Sequence, residues 1–393
     1  MFAAAAVAQS PKALALRIGP KGLFMIDPQT SRLDASLRWA LAADGELKPA
    51  YHRLFARYLR NLDEPQPHGH WTPIDGAERE VFIGNVLEYQ DREFERRRNA
   101  DLELFDIEVL PTVRGAIRPE RLLGPYLLID RPEDLHAQLA LWSDTPMRYR
   151  GRPVDFVLAV HPRMLGHFAS LKTLPSAARD RRVWLALPEF RDHARSVKGH
   201  LVAQNAIRLG RLVGAESELA LFTSSFELAS IAAAWSQSVV FSPHLTESRV
   251  AKRGGGRSLP VAYVPAVHDW VGYSRVSREI LEFGSAAELA AKYCDDPDCL
   301  RMFRDLGPRR FAARLFGTRS SGSHVVATAQ SWNSQFRHGI RSRVREVDAF
   351  ANMTMTEAIQ ELEASAGVTP FRAAARHLQA WAMALRFSEK RAA

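Results

Sequence analysis

A chain of 393 residues, 46% hydrophobic and 25% charged, has the apolar material for one large α/β domain or two smaller ones, which excludes a disordered or fibrous protein. Its two cysteines exclude a disulfide framework, and no apolar run approaches the roughly 20 residues needed to cross a bilayer. A formal net charge of +9 and an isoelectric point near 9.8 favour a polyanionic partner, unless they reflect only a coding bias toward Arg.

Met1 to Ala8 is apolar but has no basic flank and is too short for a secretion signal, so it reads as a loose terminus of a cytoplasmic protein. Residues 1–100 form a mixed α/β region: a hairpin around Gly19 to Gly22, helices near Leu33–Ala43 and Tyr51–Leu62, a loop from Pro65 to Pro73, and an exposed charged helix over Glu88 to Arg98. Across residues 101–285 the texture changes to short apolar runs: Phe105–Leu110, Tyr126–Ile129, Phe156–Val160, Val183–Leu187, Leu219–Phe222, Val239–Phe241 and Val261–Val264. Helical stretches such as Leu201–Val213 and Glu227–Trp235 lie between them. This alternation predicts βαβ units, a parallel sheet and a TIM-type, (β/α)-barrel-like closure.

Residues 286–393 form a basic Cys/His lobe followed by two capped helices. Thr354 or Thr356 opens the first and Gly367 closes it; Thr369-Pro370 starts the second, whose stripe Phe371, Ala375, Leu378, Trp381, Leu385 reads as core packing or a dimer face. Homodimerisation or accessory proteins fit such a face.

In a (β/α) barrel the chemistry sits at the C-terminal strand ends. The polar residues that follow the apolar runs are Asp130, His161, Glu189, Thr223 to Ser225, His244 and His268-Asp269. Each read singly is a capping or loop residue; as a set they resemble a lined mouth.

Cys294 and Cys299 stand downstream of Asp269 and upstream of His324. Thiolate and imidazole are preferred zinc ligands, but a C-x4-C pair with one His is an incomplete set. Asp295, Asp296, Asp298 and His338 are the candidates for a fourth ligand, and two cysteines packed against helices would give the same pattern. Basic residues are dense around this region, from Arg301 to Arg345, including Arg337, Arg341, Arg343 and Arg345. A second basic stretch, Lys252 to Arg257 around Gly254–Gly256, is a loop able to touch phosphates but lacks the ending of a P-loop.

The run His268-Asp269-Trp270-Val271-Gly272-Tyr273-Ser274-Arg275, then Cys294 to Cys299, then His324, then Asn333 and the helix Arg337 to Arg345, resembles the C-terminal part of the tRNA-guanine transglycosylase superfamily, including relatives that insert 7-deazaguanines into DNA. The resemblance covers about Val261 to Asp348. It implies Asp269 as a nucleophile, Asp130 as the acid/base or base-binding carboxylate, and structural zinc on Cys294, Cys299 and His324. It also implies substrate contacts from His161, His268, Tyr273 and Arg275, and nucleic-acid contacts, to DNA or tRNA, from the basic helix. Tyr263, Trp270 or Tyr273 would stack on a turned-out base, or serve only as core. The implied reaction exchanges guanine for a 7-deazaguanine base through a covalent Asp-glycosyl intermediate.

Three departures support a second reading. Asp130 is followed by Arg131-Pro132 instead of the family's Ser-Asp-Ser-Gly-like turn, His161 stands where a base-reading Asp is expected, and the family's middle zinc cysteine is missing. Loss of those groups is expected of an inactive barrel retained as a nucleic-acid-binding or complex-assembly module. A barrel enzyme acting on a phosphorylated small molecule is the third reading.

Overall fold

A computed structural model describes residues 2–3, 25–28, 30, 54, 56–62, 76–93, 119–167, 174–188, 190–196, 198–223, 238–241, 261–316 and 329–389. The described elements are, in chain order, β1 (Phe2–Ala3), β2 (Ile26–Asp27), α1 (Gly76–Glu88), β3 (Leu122–Leu123), β4 (Leu128–Ile129), α2 (Pro132–Asp144), β5 (Arg148–Tyr149), β6 (Arg152–Val160), α3 (Leu174–Ala178) and β7 (Arg182–Ala186). There follow α4 (Phe190–Ala194), α5 (Gly199–Gly214), β8 (Glu218–Thr223), β9 (Ser238–Phe241), β10 (Val261–Val264), β11 (Asp269–Gly272), α6 (Tyr273–Leu281) and α7 (Ala286–Lys292). Four long helices end the order: α8 (Pro297–Phe316), α9 (Ala329–Ala351), α10 (Met355–Val368) and α11 (Arg372–Glu389). The chain is a mixed α/β protein with two compact units, one drawn from Met1–Pro188 and Gly210–Phe222, the other from Glu189–Leu209, Thr223–Ser248 and Gly254–Ala393.

In the first unit β6 is the central strand of a parallel sheet. From Val154 onward its residues are all buried: Phe156–Val160 is the apolar run of a strand covered on both faces, and Asp155 before it is held by Arg121 and the Trp184 indole N–H. β3 and β4 each pair parallel with it, β7 pairs parallel with it through Phe156↔Val183, and β8 pairs parallel with β7. The short β5 adds an antiparallel start through a two-residue turn, Arg150-Gly151, in which both residues have positive φ as a type I′ hairpin demands. Helix α2 begins where Pro132 follows Arg131 and the Asp134 carboxylate accepts the Asp130 and Arg131 N–H groups. It packs its Trp142 ring flat on Phe156, 4.6 Å between centroids.

In its described part, residues 88–93, the segment from Glu88 is not the exposed charged helix expected of it; the rest, residues 94–98, lies outside the described residues. Helix α1 continues through a π turn, Tyr89–Glu93, in which Gln90 and Asp91 are buried. The Gln90 amide gives one hydrogen bond to the Leu123 carbonyl and accepts one from the Leu123 N–H, so a side chain completes β3 as a neighbouring strand would. Asp91 pairs with Arg152 at 3.1 Å.

In the second unit β10 and β11 form an antiparallel hairpin around a 3-10 turn, Pro265–Val267. Asp269 therefore opens a strand opposite Val264 and does not follow the last strand of a parallel series, as the sequence suggests. Helix α9 lies against the hairpin at Gly339, where an added Cβ would come 3.4 Å from Trp270 and Tyr263. Gly339→Ala should be tolerated, whereas Gly339→Leu should cost about 1–3 kcal/mol through overpacking, read from urea-denaturation midpoints.

Helix α8 restarts at Gly307 (φ 68°) and Pro308, a conformation that suits glycine and a first-turn proline. Thr354 and Glu357 make a reciprocal cap for α10 as expected, but α10 runs through Gly367 to Val368 before Thr369-Pro370 ends it. The α11 stripe is a core face: Phe371, Leu378, Trp381 and Leu385 are buried, and Trp381 meets Phe190 of α4. The expectations at Gly19 to Gly22, Leu33–Ala43, Pro65 to Pro73, Phe105–Leu110, Glu227–Trp235 and Lys252 to Arg257 lie outside the described residues.

Candidate metal centre and the residues around it

The loop from α7 to α8 is held by its own backbone. The Cys294 N–H bonds to the Leu289 carbonyl, and the Asp296 N–H points at the Cys294 sulfur, 3.3 Å away. Asp296 then accepts the N–H groups of Asp298 and Cys299 on Oδ1, capping α8 ahead of Pro297. This brings Cys299 into the first turn of α8, back toward Cys294.

The third member comes from the middle of α9. Cys294, Cys299 and His338 are all buried, and their ligand atoms lie within 4.8 Å of one another; Cys299 Sγ is 3.6 Å from His338 Nδ1. Tyr293 stacks on the imidazole at 5.6 Å and 17° and fixes its plane. The group could hold a metal ion. The neighbouring Cys299 thiol and burial push the Cys294 thiol well above its usual range, against a smaller pull from His338.

Of the other candidate ligands, Asp296 is turned to the α8 cap and to Arg345 at 3.2 Å. Asp298 is held by Arg301 and Arg341, and Asp295 is exposed beside Arg345. His324 lies outside the described residues. The sequence held the signal for His338: Gln335, His338, Ser342 and Glu346 are polar residues at helical spacing, and all four are buried on one face of α9.

Asp269 is buried, ion-paired with Arg195, and accepts its neighbour Trp270's N–H at 2.7 Å. Next to it His268 adopts a left-handed backbone (φ 51°) and reaches Glu346 at 3.3 Å and Glu361 at 3.8 Å. Tyr263 gives its hydroxyl to the other Glu346 oxygen. His268 is thus a buried ion-pair partner within the second unit.

Tyr273 is buried against Phe316, and burial pushes its hydroxyl up to about 12, the setting of a core residue. Arg275 lies over Phe371 and donates to the Pro370 carbonyl, tying α6 to the start of α11.

In the first unit the sheet does bring two strand-end residues together. Ile129 pairs with Val160, so Asp130 and His161 follow adjacent parallel strands, with His161 Nδ1 3.6 Å from the Asp130 carboxylate. Arg163 grips that carboxylate with both arms of its guanidinium and gives its backbone N–H to His161 Nδ1. Glu189, Ser224, Ser225 and His244 lie outside the described residues, as does the side chain of Thr223.

The basic helix divides by its own periodicity. Arg341 and Arg345, four residues apart, are exposed and reach the acids of the Cys loop. Arg343 is buried beneath the hairpin, its guanidinium 5.3 Å from the Trp270 ring and 5.8 Å from Tyr263, and it donates to the Gly339 carbonyl. It is a packing residue and not the phosphate contact expected of it. Two residues along a helix turn a side chain by about 200°, which carries it from one face to the other. The side chains of Arg337 and Asn333 lie outside the described residues.

Comparison with known proteins leaves the chain without a match: no family model, curated protein or solved structure corresponds to it. Among the described residues no helix is long and apolar enough to cross a membrane.

Proposed function

We propose that this chain binds nucleic acid through a basic lobe pinned by a zinc ion on Cys294, Cys299 and His338. The observation that carries this reading is the convergence of two thiols and an imidazole from the α8 start and the middle of α9. That donor set is soft and suits zinc, which supplies a rigid, redox-inert cross-link. The cross-link would hold the Cys loop against α9 and so fix the exposed row carrying Arg341 and Arg345, with Arg337 one turn before them. A net charge of +9 supplies the long-range attraction. Buried free thiols kept as ligands suit a reducing compartment, and we place the protein in the cytoplasm.

Removing both exposed arginines tests the reading. Arg341→Ala with Arg345→Ala should weaken binding to duplex DNA or tRNA about tenfold and lower the slope of log K against log salt by about two. An unchanged slope would show that this face touches no phosphates.

A second reading, base exchange, is favoured by one specific observation: an Asp, a Cys pair and a His from the following helix occur in the order of the tRNA-guanine transglycosylases, with His338 in the place first given to His324. In that reading the parallel strands belong to a barrel-like closure with Asp130 and His161 at its mouth. Asp269 attacks the anomeric carbon, the bond to guanine breaks with its electron pair leaving on the base, which is protonated as it departs, and a 7-deazaguanine then displaces the carboxylate as it gives up its N9 proton. The Arg195 guanidinium holds the Asp269 carboxylate and has to yield for attack. Asp269→Asn should lower exchange by about a thousandfold or more while sparing binding, read as 7-deazaguanine nucleosides by mass spectrometry of DNA and tRNA. Identical nucleoside profiles with and without the native protein would remove this reading.

A further inference from the structure

A cavity of about 440 Å³ lies beside the Cys/His group, with Cys299 and His338 on its wall together with Arg301, Arg314 and Arg341. Its size is that of a small-ligand site. Two acids, Asp298 and Asp305, also line it, but Asp298 is shared by Arg301 at 2.6 Å and Arg341 at 3.1 Å, and Arg314 has no acidic partner among the described residues. Guanidinium groups lining one cavity offer paired N–H donors of the kind that phosphate oxygens accept. His338 joins the metal group to this cavity: it is buried, lines the cavity, and its Nε2 has no hydrogen-bond partner among the described residues. A buried imidazole nitrogen left unsatisfied is costly unless a ligand meets it.

Among the described residues three ligand atoms converge, whereas zinc is commonly four-coordinate, and sites with three protein ligands keep the fourth position for an exchangeable one. Two of the three ligands line the cavity, so an exchangeable ligand has its access there. We propose that the cavity is a phosphate-monoester site whose occupant is gripped by Arg301, Arg314 and Arg341 and completes the coordination of the metal. The inference rests on the metal reading above and adds to it a ligand class.

Cobalt-loaded full-length protein tests it, because thiolate-to-cobalt absorption reports the metal and the visible d–d bands report its fourth ligand. Inorganic phosphate and a nucleoside 5′-monophosphate should each shift the d–d bands saturably, and Arg314→Ala should raise the concentration needed at least about tenfold. Arg314 is exposed, so its removal leaves the core intact, and Arg314→Lys should restore part of the affinity. A 5′-phosphorylated oligonucleotide that shifts the bands where its 5′-hydroxyl twin does not identifies a nucleic-acid end as the source; a response to the monophosphate alone identifies a free nucleotide. Thiolate–cobalt bands that ignore every phosphate overturn the inference and leave the metal centre standing. Absence of those bands overturns both.

Discussion

A His338→Ala variant is expected to purify without the roughly one zinc per chain that the native protein should carry, and to unfold about 10 °C lower. The imidazole is the only ligand of the described group that comes from α9, so its loss severs the cross-link between that helix and the Cys loop. Structural zinc sites in small peptides contribute on the order of 10 kcal/mol to folding. A lobe with its own apolar core, here Phe303, Phe311, Leu315 and Phe316 beneath the Cys loop, depends on the metal for less than that. A share of about 3–5 kcal/mol, added to the void left by the ring, gives a shift of this size. A chelator should bring the native protein down to the variant and leave the variant unmoved. Native protein that is metal-free as isolated, takes up no zinc and ignores chelator would rule the centre out.

The second large effect is on pH. Burial alone lowers the His268 pKa, but the ion pairs with Glu346 and Glu361 outweigh it and raise the group from 6.5 to about 9. Because the folded value is the higher one, the stabilisation is complete below the unfolded value, near 6.5, and is lost as pH rises through about 9. The shift corresponds to roughly 3 kcal/mol. The pairing also depresses Glu361, whose smaller share is lost in the opposite direction, as acid protonates it. Native stability should therefore fall by about 3 kcal/mol between pH 6 and pH 10, with a corresponding part of that slope absent in His268→Asn. Asparagine is the suitable replacement because it tolerates the left-handed backbone at this position. Parallel pH profiles for native and variant protein, from chemical denaturation, would contradict the ion-pair account.

Parts of the second unit were legible because their information is local. A Thr three residues before a Glu announces the α10 cap, and apolar residues spaced along Phe371 to Leu385 announce a buried helix face. The runs at Phe156–Val160 and Val183–Leu187 likewise show two strands covered on both faces, and the parallel pairing between them follows. The candidate site was legible only as a parts list. Cys294 and Cys299 were visible, but the motif order of the transglycosylase resemblance pointed to His324, and no local pattern shows that His338 turns toward the pair. Arg343 was grouped with Arg341 and Arg345 because a string of basic residues conceals the angle between them.

By itself the sequence determined the α/β class, the parallel strands, the caps of the last helices and the Cys pair, each written in a window of a few to fifteen residues where backbone period and burial coincide. Tertiary structure alone decided that Asp269 opens an antiparallel hairpin and pairs with Arg195, 74 residues away, and that His338 meets Cys299 across 39 residues. The second pairing depends on how α9 is rotated, and Gly339 and Arg343 of that helix pack against Tyr263 and Trp270 of β10 and β11. Periodicity specifies which face of a helix is buried; which residues meet it depends on the packing of the other elements.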